Sequence, residues 1–255
     1  DQLSQGRFEF GVGRSGFQVA YAGYGIPYEQ SSPRFWEALD VITKAFTLER
    51  FSHEGTFYSY SDVCLIPKPY QSPHPPIRIA ATSDETFPVI GKAGHSLLVG
   101  LRSFPLPRVS NQVKAYHDAW SEAGNVGIPD VSLRVPVYVA ETKDEAIHQP
   151  EESFMRQFRR LATQYTSSAA ESGARPVEQR DDRGAGLSAT SWEDARREKV
   201  IVGTPEMIID QIREFKEVLG LTEIVAEFNA GELIPPDKVA RSLRLFGEQV
   251  VPAFR

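Results

Sequence analysis

Apolar residues recur along the chain in two alternating rhythms. Short apolar runs end in small residues or glycine. Each is followed by a stretch with apolar positions three or four apart. Phe8-Glu9-Phe10-Gly11-Val12-Gly13 predicts a strand over about 7–13. After a loop rich in Gly, Tyr and Pro (16–33), Ser32-Pro33 predicts a helix start, a cap followed by Pro at the first helical position. Phe35, Leu39, Ile42 and Phe46 then fall on one helical face. Further strands are predicted at Ile77–Ala81, Ser96–Gly100, Ser132–Ala140 and Thr222–Phe228. Further helices are predicted from Thr82 to about Ala93, from Pro107 to about Gly124, from Pro205 to Gly220 and from Pro235 through Val250. In the third of these Thr204 is expected to cap, and Ile208, Ile212, Phe215 and Leu219 form the buried stripe. Strand and helix alternating at this spacing predict a parallel α/β sheet.

Two stretches break the rhythm. Residues 51–70 predict an inserted hairpin with Glu54-Gly55 at its turn. Residues 143–199 are the least regular. One helical pattern, Phe154–Tyr165, precedes a polar, glycine-containing segment poor in aliphatic residues, which predicts an insertion, partly disordered or lid-like, with a plain mobile surface loop as the competing reading. Pro136, inside SLRVPVYVA, is expected at a sheet edge or an irregularity.

Composition narrows the function classes. The chain has 255 residues, with 41% apolar, 24% charged and a net charge of -6. That is enough length and apolar content for a large core. The acidic balance and the lack of a basic block argue against a nucleic-acid partner. A single cysteine, Cys64, excludes an intramolecular disulfide and suits a reducing, cytoplasmic setting. No apolar run approaches the ~20 residues of a membrane span, and Asp1–Gly6 lacks the basic and apolar regions of a signal peptide.

The candidate chemistry lies at strand ends. Arg14 follows the first strand across glycines that let an anion approach the backbone. Thr82, Ser83 and Thr86 follow the strand ending Ala80-Ala81, where hydroxyls and helix-opening N–H groups suit an anion such as phosphate. Simple helix capping by Thr82 or Ser83 is the competing reading. Gly11-x-Gly13-x-x-Gly16 spells a dinucleotide fingerprint, but no helix is predicted directly after it and no acidic residue ends the next strand. The G-x-S-x-G of a hydrolase elbow is absent there. No histidine pair has metal-ligand spacing. Tyr21, Tyr24 and Tyr28 suit either packing or the lining of a flat ligand.

Three motifs resemble those of the bacterial luciferase-like flavin-dependent monooxygenases: DQLSxGRFxFGVGR from Asp1, PIRxAATSxET from Pro76 and VGTPE from Val202. The resemblance runs through nearly the whole chain in the right order. It implies a TIM (β/α)8 barrel in which residues 1–255 form a single domain carrying strands four to eight. The hairpin at about 51–70 and the lid at about 143–199 would be insertions. The first three βα units of the pattern have no counterpart here, so the chain is expected to be the C-terminal portion of a longer enzyme, or to need a complementing piece. The family's substrate-lining histidine belongs to those units, so the resemblance assigns no catalytic residue. It places the phosphate of FMN against Arg14, Ser83 and Thr86, with backbone near Thr82. It implies reduced FMN and O₂ as co-substrates, a small organic substrate and a separate NAD(P)H flavin reductase. A homodimer is among the assemblies it allows. A deazaflavin-dependent oxidoreductase and a non-catalytic flavin-binding paralogue are the alternatives.

Overall fold

Strand β1 (Phe10–Val12) is shorter than the expected 7–13 because its partner is short. β4 (Ile77–Ala80) pairs with it in parallel, Phe10 opposite Ile77 and Val12 opposite Ile79. Between them lie the helical turn α1 (Val19–Ala22), helix α2 (Ser31–Thr47), and strands β2 (Phe51–Glu54) and β3 (Ser59–Val63). The stretch 16–33 is therefore not all loop. The Ser15 hydroxyl accepts from the Phe17 amide at 3.1 Å and starts the turn into α1. β2 and β3 form an antiparallel hairpin. Glu37 of α2 ties the hairpin down, its carboxylate accepting from the amides of Thr56, Phe57 and Tyr58 at 2.8–3.1 Å. These elements belong to the first of two compact units, Asp1–Ala80 and Ala81–Arg255. The computed structural model describes residues 1–102, 104–171 and 177–255.

The second unit runs through α3 (Thr86–Lys92), β5 (Ser96–Gly100), α4 (Leu106–Glu122), β6 (Val131–Val139), α5 (Lys143–His148) and α6 (Glu151–Glu171). It continues through α7 (Val177–Ala189), α8 (Trp192–Glu198), β7 (Ile201–Gly203), α9 (Pro205–Leu219), β8 (Glu223–Glu227) and α10 (Pro236–Leu245). β6 is the spine. It pairs in parallel with β5 from Leu97 opposite Val131 to Gly100 opposite Arg134. It also pairs with β8, from Ser132 opposite Glu223 to Pro136 opposite Glu227, and then with β7 from Val137 opposite Ile201. Pro136 thus sits where pairing passes from β8 to β7, an irregularity that tolerates a residue without an N–H donor. Alternate residues Val131, Leu133, Val135, Val137 and Val139 are buried on one face of β6. α9 contributes Ile208, Ile212 and Phe215 to the core and packs on β6 and β7. Each such side chain adds roughly 1.5–3 kcal/mol relative to exposure. Gly220 ends α9 in the left-handed conformation, as its place after Leu219 predicted.

The segment 143–199 departs most from expectation. Where one helical pattern was expected, four helices, α5 to α8, occupy its described residues. Phe154, Phe158, Ala162 and Leu187 bury one face of α6 and α7 together with Tyr138 and Val202. Trp192 of α8 stacks edge-on against Phe154 and donates its indole N–H to the Ile147 carbonyl at 3.1 Å. The apolar positions are few but spaced to share a face, which suffices to hold polar helices. Residues 172–176, within the expected lid, lie outside the described residues.

Candidate functional site

In the first unit the site is built on Arg14, two residues beyond β1. Its guanidinium lies 5.4 Å from the centroid of the Tyr28 ring, and Nη1 donates to the Ser31 hydroxyl at 3.0 Å. Ser31 Oγ in turn donates to the Tyr28 carbonyl at 2.5 Å. Tyr21 meets Tyr28 edge-on, centroids 5.5 Å apart, and its hydroxyl donates to the Ser15 carbonyl at 3.0 Å. Burial pushes the Tyr21 phenol above its ordinary value, against the opposing pull of Arg14. Arg14 is therefore oriented by an aromatic face and one hydroxyl, which commit one of the five N–H donors of a guanidinium. Tyr24 stands apart from this cluster and is 83% exposed.

In the second unit, Thr82 is exposed and Ser83 and Thr86 come together. Their hydroxyl oxygens lie 2.8 Å apart, and the Thr86 amide donates to the Ser83 carbonyl at 3.0 Å. The helix starts at Thr86, not at Thr82, and runs only 7 residues. Glu85 holds the cap position without a side-chain cap bond, so neither Thr82 nor Ser83 caps α3. The competition is local: Ser83–Thr86 close a turn, and Asp84 is drawn to Arg108 at 2.8 Å and to Gln112, both on α4. Asp84 is thereby charge-compensated beside the two hydroxyls. Likewise Thr204 holds the cap position of α9, but its hydroxyl engages the Glu206 carboxylate at 2.9 Å and accepts no helix amide.

Sequence reasoning passed over a charged group on the opposite face of β6. Glu227, the last residue of β8, bridges Arg102 beyond β5 and Arg134 of β6. Burial, then the neighbouring Arg134, pushes the Arg102 guanidinium down to about 10. Nearby in sequence, Lys199 donates to the Leu101 carbonyl at 3.2 Å, and burial lowers its ammonium. Arg108 and Arg183 both stack on Phe104, at 4.4 and 4.5 Å from its centroid. A signal existed for the first group: Arg134 is the single charge in SLRVPVYVA, and Arg102 and Glu227 each stand at the C-terminal end of a strand, where parallel α/β folds place their ligands.

Comparison with known proteins agrees with this architecture. The chain is 21% identical over 256 residues to the oxygenase component of the flavin-dependent trigonelline monooxygenase of Acinetobacter baylyi, covering 100% of this chain and 69% of the relative. It superposes on the oxygenating constituent of 3,6-diketocamphane monooxygenase from Pseudomonas putida, solved with FMN. The TM-score is 0.74 at 19% identity, over 98% of this chain and 72% of the other. It also matches the coenzyme F420-dependent tetrahydromethanopterin reductase of Methanopyrus kandleri, with a TM-score of 0.68 at 18% identity over 99% of this chain and 76% of the other. The chain spans 62–70% of the length of the curated relatives it matches end to end. Its parallel α/β fold is that of luciferase-like TIM barrels. Among the described residues no helix is long and apolar enough to cross a membrane. The profile of the luciferase-like monooxygenases matches residues 1–223, and the chain belongs to that family.

Proposed function

We propose that this chain serves an FMN-dependent monooxygenase that oxidises a small organic substrate with O₂, using reduced flavin from a separate NAD(P)H flavin reductase. The observation that carries the reading is the preset guanidinium of Arg14, held over Tyr28 and tethered to Ser31 at 3.0 Å. The donor set suits a phosphomonoester. A guanidinium gives charge-assisted bonds to phosphate, and the paired hydroxyls of Ser83 and Thr86 add neutral donors beside an Asp84 already compensated by Arg108. Arg14, Ser83 and Thr86 are the proposed phosphate contacts, with Thr82 supplying backbone. The names of the relatives, an oxygenase component among them, support both the flavin and the separate reductase.

When bound, reduced flavin supplies two electrons to O₂, so that one oxygen atom enters the substrate and the other leaves as water. The task of the protein residues is to hold the flavin, orient the substrate and exclude water. The test supplies reduced FMN through NADH and a flavin reductase, and follows O₂ consumption with candidate substrates. Substrate-dependent O₂ uptake with an oxygenated product supports the proposal. Turnover with reduced deazaflavin and no O₂ uptake would make the chain a hydride-transferring oxidoreductase. Flavin binding with neither activity would make it a non-catalytic binder.

A further inference from the structure

We propose that a recess between β8, the C-terminal half of α9 and the helical turns after α10 binds an apolar organic carboxylate, at a site independent of the flavin reading. β8 has two faces. On one, Glu223 and Glu227 meet Ser132 and Arg134 of β6. On the other, Ile224 lines the recess together with Ile212 of α9. The recess measures about 470 Å³ and opens to solvent on one side. Packed interiors leave few voids larger than a water molecule, whose share of liquid volume is about 30 Å³. A hollow of this size falls in the range of small-molecule sites, about 300–1,000 Å³. Its walls are set by packing elsewhere. Ile212 and Leu221 are buried core residues, and the Phe246 ring meets Phe228 edge-on, centroids 5.4 Å apart. Phe246 also opens a π-helical turn, Phe246–Val250, directly after α10. Such turns recur at functional sites.

Charge decides the class of ligand. Lys216 and Arg255 line the recess. On α9 no acidic residue stands three or four positions from Lys216, where Ile212, Arg213, Leu219 and Gly220 lie. Among the described residues neither cation has an ion-pair or hydrogen-bond partner. The acidic side chain of the lining, Glu223, accepts from the Ser132 hydroxyl at 2.5 Å, on the opposite face of β8. Phe254, 40% exposed, adds an aromatic surface. Apolar walls beside two uncommitted cations suit a molecule with an apolar body and one anionic end. The body displaces water from the walls, and the carboxylate takes charge-assisted bonds. A neutral apolar molecule leaves the cations unused, and a small inorganic anion leaves the walls wet.

Octanoate and 1-octanol, equal in chain and different in charge, are the probes. Their binding to the wild type, Lys216→Arg, Lys216→Glu and Phe254→Ala is measured by calorimetry, with and without FMN. Octanoate is expected to bind the wild type about three- to tenfold more tightly than octanol. Lys216→Arg should keep that preference and Lys216→Glu should remove it. Phe254→Ala should weaken both probes by a similar factor. Lys216 and Phe254 are exposed, so these substitutions leave the core intact. No octanoate binding, equal affinities in the wild type, or an unchanged preference in Lys216→Glu would overturn the site. So would displacement of octanoate by FMN, which assigns it to the flavin site. Self-association of the wild type in sedimentation, lost in Phe254→Ala, would also overturn it by giving the recess to a second copy of the chain. Octanoate preference in a protein that binds no flavin would uphold the site while the flavin reading fails.

Discussion

Replacing Gly231 by alanine probes how the segment after β8 is fastened to the start of α6. Gly231 has φ +93, where side-chain-bearing residues are strained. A Cβ at this position would stand 1.7 Å from the Ser153 carbonyl oxygen and 2.5 Å from its carbon. Those are backbone atoms, so no rotamer change relieves the contact. Three hydrogen bonds hold the same junction. Ser153 Oγ donates to the Ala230 carbonyl at 2.8 Å, the Leu233 amide donates to Ser153 Oγ at 3.0 Å, and Arg156 donates to the Gly231 carbonyl at 2.8 Å. Relief of the clash therefore means lifting the segment off α6. Left-handed strain costs about 1–2 kcal/mol, and opening two or three of these bonds costs about 1 kcal/mol each. The expected loss is about 3–5 kcal/mol, in the upper tail for single substitutions. Urea unfolding followed by circular dichroism reads it as a lower midpoint at unchanged slope. A loss below about 1 kcal/mol would refute the close junction, because nothing short of moving the two backbones apart accommodates the methyl group.

Acid should separate Glu37→Gln from the wild type. Burial alone would raise the Glu37 carboxyl, but the amides of Phe57 and Tyr58, the His53 ring and the Thr56 amide outweigh it and hold it below its ordinary 4.5. Its contribution is thus complete above about pH 4.5 and lost as pH falls through the depressed folded value. The melting temperatures of the two proteins should differ at pH 7 and converge only as pH falls through that depressed folded value, and a gap constant with pH would contradict this. Phe154→Ala should cost about 3–5 kcal/mol, since Phe154 is fully buried against Trp192 and Tyr138; a melting temperature within a degree or two of the wild type would count against that core. Ser83→Ala combined with Thr86→Val should weaken FMN more than riboflavin, read by quenching of flavin fluorescence, and an equal effect on both would remove these hydroxyls from the phosphate.

The strands of the parallel sheet were legible because their apolar runs are short and stop at glycine or alanine, as in Ser96–Gly100 and Ile77–Ala81. Helix α9 was legible from Pro205, its 3.6-residue stripe and Gly220. Two helix starts within 143–199 were missed because overall polarity hid their capping patterns. Thr142 accepts from the Glu145 amide, and Ser191 from the Asp194 amide, each three residues ahead in a helix start. β7 was too short, at 3 residues, to count as a strand without its partner β6. For the candidate site, the sequence pointed to Arg14 through the glycines before it. The partners that orient it, Tyr28 and Ser31, were not, since the chain reaches them only by folding α1 and the turn before α2 over the end of β1. The Arg102–Glu227–Arg134 group needed the β6–β8 register, which no local pattern encodes.

The affinity ratio between FMN and riboflavin tests the central claim most directly, in the wild type and in Arg14→Ala. The two flavins differ only by the phosphate. If Arg14 grips it, FMN binds the wild type more tightly, and Arg14→Ala loses about 1.5–3 kcal/mol for FMN, roughly 10- to 150-fold, while riboflavin affinity holds. Equal affinities in the wild type, or equal losses for both flavins in the variant, would contradict the account.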